Sequence, residues 1–147
     1  MTMTPLARLV QIHKAIGHPV RIRLLAALRT GPLCGCQMAA LVRLAPSTVS
    51  EHLSELRKAG LVSERKEGRW VEYRLSESAL RDGLLDAIWP ALDDDAEARA
   101  DGVLIRELRR VPLEELCGVS LDLERLKRPA LATAVAKAER IRAESLR

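Results

Sequence analysis

Aromatic side chains are almost missing from this chain: two Trp, one Tyr and no Phe among 147 residues. The core must therefore be built from Leu, Val, Ile and Ala, which favours a mainly helical protein. No apolar run approaches the length of a bilayer-spanning helix, and the N-terminus has no signal-peptide h-region. A membrane role is thereby disfavoured, and a cytoplasmic protein is expected. Cysteine is sparse and odd in number, at three. That fits free thiols or metal ligands in a reducing compartment better than a disulfide framework. Repeats, low-complexity segments, Gly-rich phosphate loops and conspicuous carboxylate pairs are all lacking.

What is present is an uneven charge. Residues 1–75 carry 12 Lys/Arg against 5 Asp/Glu, whereas residues 76–147 carry 12 against 15. A basic front half suits a surface laid on phosphates, with an acidic half turned away. Ordinary surface charge gives a blander account of the same numbers. Apolar residues make up 48% of the chain, enough for a core in one domain or one domain with an appendage.

The sequence is organised around Cys36–Leu75. Pro46 suits the first position of a helix, where its missing N–H is unpaired in any case. Val49, Leu53 and Leu56 recur at i, i+4 and i+7 and predict one buried stripe. The other face carries Ser47, Thr48, Ser50, Glu51, His52 and Ser54, mostly short hydrogen-bonding groups. Such groups let a helix sit deep in the major groove and meet base edges or phosphates. Cys36–Leu44 reads as a shorter helix before it, with Met38, Leu41 and Val42 on one side. Two short helices joined at Leu44-Ala45 make a helix-turn-helix. Gly60 ends the second helix. Residues 61–66 and 70–75 then alternate as two strands around Glu67-Gly68-Arg69, a basic hairpin or wing. Lys66 and Arg69 on it are expected at phosphates or in a minor groove, and Arg57 and Lys58 face solvent or the DNA backbone.

Elsewhere, Pro5–Ile16 predicts a helix with Leu6, Leu9, Val10, His13 and Ile16 inward. Val20–Arg29 follows, with Ile22, Leu25, Ala26 and Leu28 inward, and Leu33-Cys34-Gly35 is extended. Ser76–Leu92 reads as one helix with Leu80, Leu84, Leu85, Ile88 and Trp89 as its apolar band. Further helices are expected at Glu97–Arg110, in a single turn at Pro112–Gly118, and over Leu123–Arg142 with a kink or new start at Pro129. The expected division is a winged-helix unit at 1–92 and a helical extension at 93–147.

Taken together, Gly17-His18-Pro19-Val20-Arg21-Ile22-Arg23-Leu24-Leu25, Ser50–Val62 and the wing Lys66–Leu75 resemble the ArsR/SmtB family of metal- and metalloid-responsive bacterial repressors. The resemblance runs from about Pro5 to Leu92. It implies a homodimeric winged helix-turn-helix protein paired through residues 6–16 and 80–92. It also implies a repressor that holds double-stranded operator DNA through Pro46, Ser47, Thr48, Ser50, Glu51, His52, Ser54, Lys66 and Arg69 and leaves it when an effector binds.

Cys34 and Cys36 match the Cys-x-Cys pair of the family's arsenic-responsive members, which implies arsenite or antimonite, As(III) or Sb(III), as effector. A third Cys is frequent three residues further on in those members; here that position is Ala39. Thiolates select soft, thiophilic centres, and a helix start is expected to lower their pKa. Both residues read alternatively as small buried hydrophobes. Cys117 either fills a satellite core or completes a three-thiolate site. The zinc ligands of relatives on the helix after the wing are missing, because Asp82 is followed by Gly83-Leu84 and no His occurs beyond His52. His13 therefore reads as partly buried or at the dimer seam, His18 as a turn residue, and His52 as a support of the recognition helix or a phosphate contact. The same scaffold sensing Cd, Pb, Hg or thiol oxidation is the nearest alternative. A cysteine-dependent enzyme is the rival from another class, although no His or acid adjoins Cys34 or Cys36 in sequence. A pure interaction module is a third possibility.

Overall fold

A computed structural model describes residues 2–147. Helix α1 spans Pro5–Ile16 and α2 spans Pro19–Leu28, each beginning at a proline. Their N-caps are Thr4 and His18, whose side chains accept hydrogen bonds from the N–H groups of Ala7 and Val20. A short strand β1 (Leu33–Cys34) leads into α3 (Gly35–Val42), and α4 (Pro46–Lys58) follows, with Pro46 at its first position. The turn between them is made by Arg43, which takes a left-handed φ of 56° at the end of α3. The proposed stripe is buried as the spacing requires: Val49, Leu53 and Leu56 are each at most 1% exposed.

Strands β2 (Val62–Glu67) and β3 (Trp70–Leu75) form the antiparallel hairpin, with Val62 opposite Leu75 and Glu67 opposite Trp70. The two-residue loop opens on Gly68 at φ +59°, a conformation that favours glycine. Strand β1 adds to the other edge of β3, giving sheet order β1-β3-β2 and placing Cys34 opposite Glu72. The wing is thereby tied directly to the cysteine segment.

The single helix expected over Ser76–Leu92 is replaced by three short pieces. Helix α5 (Glu77–Asp82) stops at Gly83, left-handed at φ 69°, a 3-10 turn covers Leu85–Ala87, and α6 is only Trp89–Leu92. Glycine with a positive φ terminates the first piece, and the helix cannot propagate through it. Of the expected apolar band Leu85 and Trp89 are buried, while Leu80 is 60% exposed.

The inward face expected for α1 is also corrected. Ile12 and Ala15 enter the core, while Leu6, Leu9 and Val10 are 74%, 49% and 45% exposed and His13 is exposed. On α2 the buried residues are Leu24, Leu25, Ala27 and Leu28, with Ile22 and Ala26 half-buried.

Helices α7 (Ala96–Leu108), α8 (Leu113–Gly118) and α9 (Pro129–Glu144) make up the rest, with a 3-10 turn at Leu123–Leu126. Asp95 caps α7, and Pro129 is a new helix start rather than a kink. Leu104, Ile105, Leu108, Leu116 and Leu131 belong to the same core cluster as Leu24, Met38 and Leu53. Two polar clamps, one of them ionic, fix this packing. Asp101 of α7, only 4% exposed, receives a forked pair of bonds from Arg23 of α2 at 2.7 and 2.9 Å and another from Arg142 of α9 at 3.1 Å. Arg109, just past α7, donates to the carbonyls of Pro32 (2.6 Å) and Gly31 (2.8 Å) and to the Thr30 hydroxyl (3.0 Å).

Candidate effector and DNA-binding site

Four chain segments meet at one cavity of about 540 Å³. Its walls include Cys34 and Cys36 from the β1–α3 junction, Cys117 from α8, and Pro46 and Ser50 from the first turns of α4. The wing closes another side through Arg69, Trp70 and Tyr73. The cavity therefore lies against the start of the helix that the sequence assigns to DNA.

Local structure explains each placement. Cys34 ends β1 and is the N-cap residue of α3, its backbone N–H donating to Oε1 of the buried Gln37 at 2.8 Å. Cys36, one residue into the helix, is half-buried. Cys117 is on the last turn of α8, after which Ser120 and Leu121 adopt left-handed φ values of 54° and 64°. Such a conformation costs an ordinary residue roughly 1–2 kcal/mol, so the tight exit that holds α8 over the cavity stores strain.

The thiols do not have the lowered pKa expected at a helix start. Burial pushes Cys36 up to about 12, reinforced by the facing Cys117 and by Cys34, and a backbone hydrogen bond at Gln37 opposes this only weakly. Burial likewise raises Cys34, helped by Glu72, Cys117 and Glu67. Desolvation and mutual repulsion outweigh the helix end. The three sulfurs converge without being gathered into one coordination sphere: among the described residues, no group of three His, Cys, Asp or Glu stands close enough to hold a metal ion.

The expected DNA-facing residues differ in exposure. Pro46, Ser47, Ser50 and Glu51 are exposed, Thr48 and Ser54 half-buried. His52 is half-buried beneath the helix, accepting from Arg21 Nε at 3.2 Å and lying 4.5 Å from the His18 ring. Its pKa is lowered by burial, then by His18 and Arg21. Lys66 is exposed on β2. Arg69 at the wing tip is exposed too, yet its guanidinium meets Glu114 of α8 at 2.7 Å.

Sequence reasoning missed Tyr73, Glu114 and Arg109. Tyr73 packs across the cavity and stacks its ring edge 3.6 Å from where a Gly35 Cβ would stand. Its phenol, raised mainly by burial, lies beside Ser50 and Glu64. An aromatic on an inward-facing wing position was the one available signal. Nothing local marks Glu114 or Arg109.

Residues 18–64 match the model of the bacterial regulatory protein arsR family. The arsenical resistance operon repressor of Escherichia coli K12 is 30% identical over 104 residues, covering 69% of this chain and 85% of that protein. The chain belongs to the ArsR family. It is therefore a DNA-binding transcriptional regulator with a winged helix-turn-helix fold. The arsenic resistance transcriptional regulator ArsR1 of Pseudomonas putida KT2440 is 34% identical over 92 residues, 58% of this chain and 72% of that protein. Among solved structures, the homodimeric winged helix-turn-helix domain of Mb0332 from Mycobacterium bovis aligns with TM-score 0.53 and 26% identity. That alignment covers 59% of this chain and 82% of the other. No helix among the described residues is long and apolar enough to cross a membrane.

Proposed function

We propose that this ArsR-family regulator is a homodimeric repressor that releases operator DNA when Cys34, Cys36 and Cys117 bind trivalent arsenic or antimony. The observation that carries this reading is the convergence of all three cysteines on one cavity behind the start of α4. With Ala39 at the position where arsenic-responsive relatives often have a third Cys, Cys117 supplies that sulfur from the C-terminal segment.

The raised thiols of Cys34 and Cys36 favour this effector over a bare divalent cation. Arsenous acid reacts with three protonated thiols: three As–O bonds break, three As–S bonds form, and each hydroxide leaves as water with a thiol proton. The reaction needs no prior deprotonation. A divalent cation must instead expel protons from the thiols it ligates.

Release follows from geometry. Drawing the sulfurs together pulls α8 and the start of α3 toward the cavity, and Pro46 and Ser50 on its wall move with them. Two recognition helices held one helical turn apart by the dimer then lose register with their half-sites. Coupling of about 1–3 kcal/mol per effector lowers operator affinity roughly 5–150-fold. The exposed Leu6, Leu9 and Val10 of α1 and Leu80 of α5 supply the apolar surface for pairing through residues 6–16 and 80–92. Bases are read through Ser47, Thr48 and Ser50, while Lys66 and Arg69 meet phosphates. Effector-driven movement of α8 also carries Glu114, which faces Arg69 and competes with the operator for it.

X-ray absorption at the arsenic edge, recorded without added thiol, tests the site. Wild type should give three sulfurs, and Cys117→Ser two sulfurs and one oxygen. Identical coordination and affinity in both would assign Cys117 to the core.

A further inference from the structure

A second cavity, of about 520 Å³, is set between α7 and α9 beside Thr30. Its charged lining is entirely cationic: Arg99, Arg106, Arg109 and Lys137, over an apolar floor that includes Val103 and Ile141. This is unexpected in a half of the chain where acids outnumber bases by 15 to 12. The acids of α7 are engaged elsewhere, Glu97 and Asp101 by Arg23 and Arg142 and Glu107 by Arg110. Among the described residues none of the four cations is in an ion pair.

Arg109 is the most informative member. It bonds only neutral oxygens, and its Nε is sealed from solvent with no hydrogen-bond partner. A partly buried guanidinium without a carboxylate is costly unless something supplies the opposite charge. Gly102 lines the same cavity and has open space where a Cβ would project, so the backbone is accessible there.

We propose that this cavity binds a small organic anion, its carboxylate or phosphate head among Arg106, Arg109 and Lys137 and its apolar body on Val103 and Ile141. The volume is that of a small-ligand pocket, and apolar walls with a few converging polar groups are the usual make-up of one. Concavity argues for a small molecule over a DNA backbone, which a flat basic surface would meet. Arg109 also holds the Ala27–Pro32 segment that runs into Cys34, so a ligand drawn to it acts on the cysteine strand from the opposite side.

Isothermal titration calorimetry of the full chain with octanoate, octyl phosphate, octanol and inorganic phosphate tests this. Octanoate or octyl phosphate should saturate at one per chain, the tighter of the two naming the head group, while octanol and inorganic phosphate should not. Arg106→Glu/Lys137→Glu should weaken that binding at least about tenfold with an unchanged circular dichroism spectrum and unchanged arsenite-induced DNA release. Lys137→Glu alone serves the same comparison should the double variant misfold. Failure of both anions to bind, equal binding of octanol or of inorganic phosphate, or equal binding by the variant overturns the proposal. So does a loss of operator affinity in the variant without anion binding in wild type, which would make the cations a DNA contact.

Discussion

The protonation state of the cysteines makes pH a discriminating perturbation. Burial and the neighbouring sulfurs raise both Cys34 and Cys36, the latter to about 12. A group whose pKa lies far above the working pH stays protonated throughout the range from 6 to 8. Each thiol captured by a divalent cation must then release one proton, and the cation's affinity rises about tenfold per pH unit per thiol. For these two thiols alone that is about 10⁴-fold between pH 6 and 8. Arsenous acid is neutral and returns the thiol protons as water, so its affinity should change by less than about threefold across the same interval. Calorimetric titrations of the reduced protein with arsenite and with cadmium, in two buffers of different ionisation enthalpy, measure both affinity and proton count. An arsenite affinity that falls steeply as pH rises would mean that the thiols are already ionised, and one that rises as steeply as that of cadmium would mean that they are not the ligands; either result would refute the reasoning.

Other outcomes follow from the same geometry. Glu114→Gln should raise operator affinity about two- to fivefold, since an exposed pair is worth up to roughly 1 kcal/mol and a gain of about 0.4–1 kcal/mol is expected, and fluorescence anisotropy would detect it. Leu9→Asp should convert the dimer to a monomer in sedimentation, with loss of specific DNA binding. Asp101→Asn should destabilise the fold by about 3 kcal/mol in urea denaturation, because Arg23 and Arg142 lose a buried partner.

The winged-helix core was legible in the sequence because its signals are local. Pro46 at a helix start, the Val49–Leu53–Leu56 stripe and the alternation on either side of Gly68 each act within a dozen residues. Periodicity alone misplaced the inner face of α1. Leu6, Leu9 and Val10 form a regular apolar stripe, but regularity says only that a face needs covering, not that its own chain covers it. The helix after the wing failed for a different reason: apolar spacing continued through Gly83, whose left-handed conformation ended the helix. Cys34 and Cys36 were visible as a pair, yet their raised pKa depends on burial and on Cys117, 81 positions beyond Cys36. Separations of 45 and 79 positions likewise hid Glu114 from Arg69 and Arg109 from the loop at Thr30. Those contacts are made by the packing of α7 and α8 against the core, which no local pattern encodes.

Arsenite titrated into a complex of the protein with its own upstream DNA reads out whether these cysteines release it. Wild type should dissociate, with operator affinity falling roughly 5–150-fold. Cys34→Ser, Cys36→Ser and Cys117→Ser should each bind the same DNA as tightly and fail to let go. Dissociation of all three variants with the arsenite dependence of wild type would contradict the account.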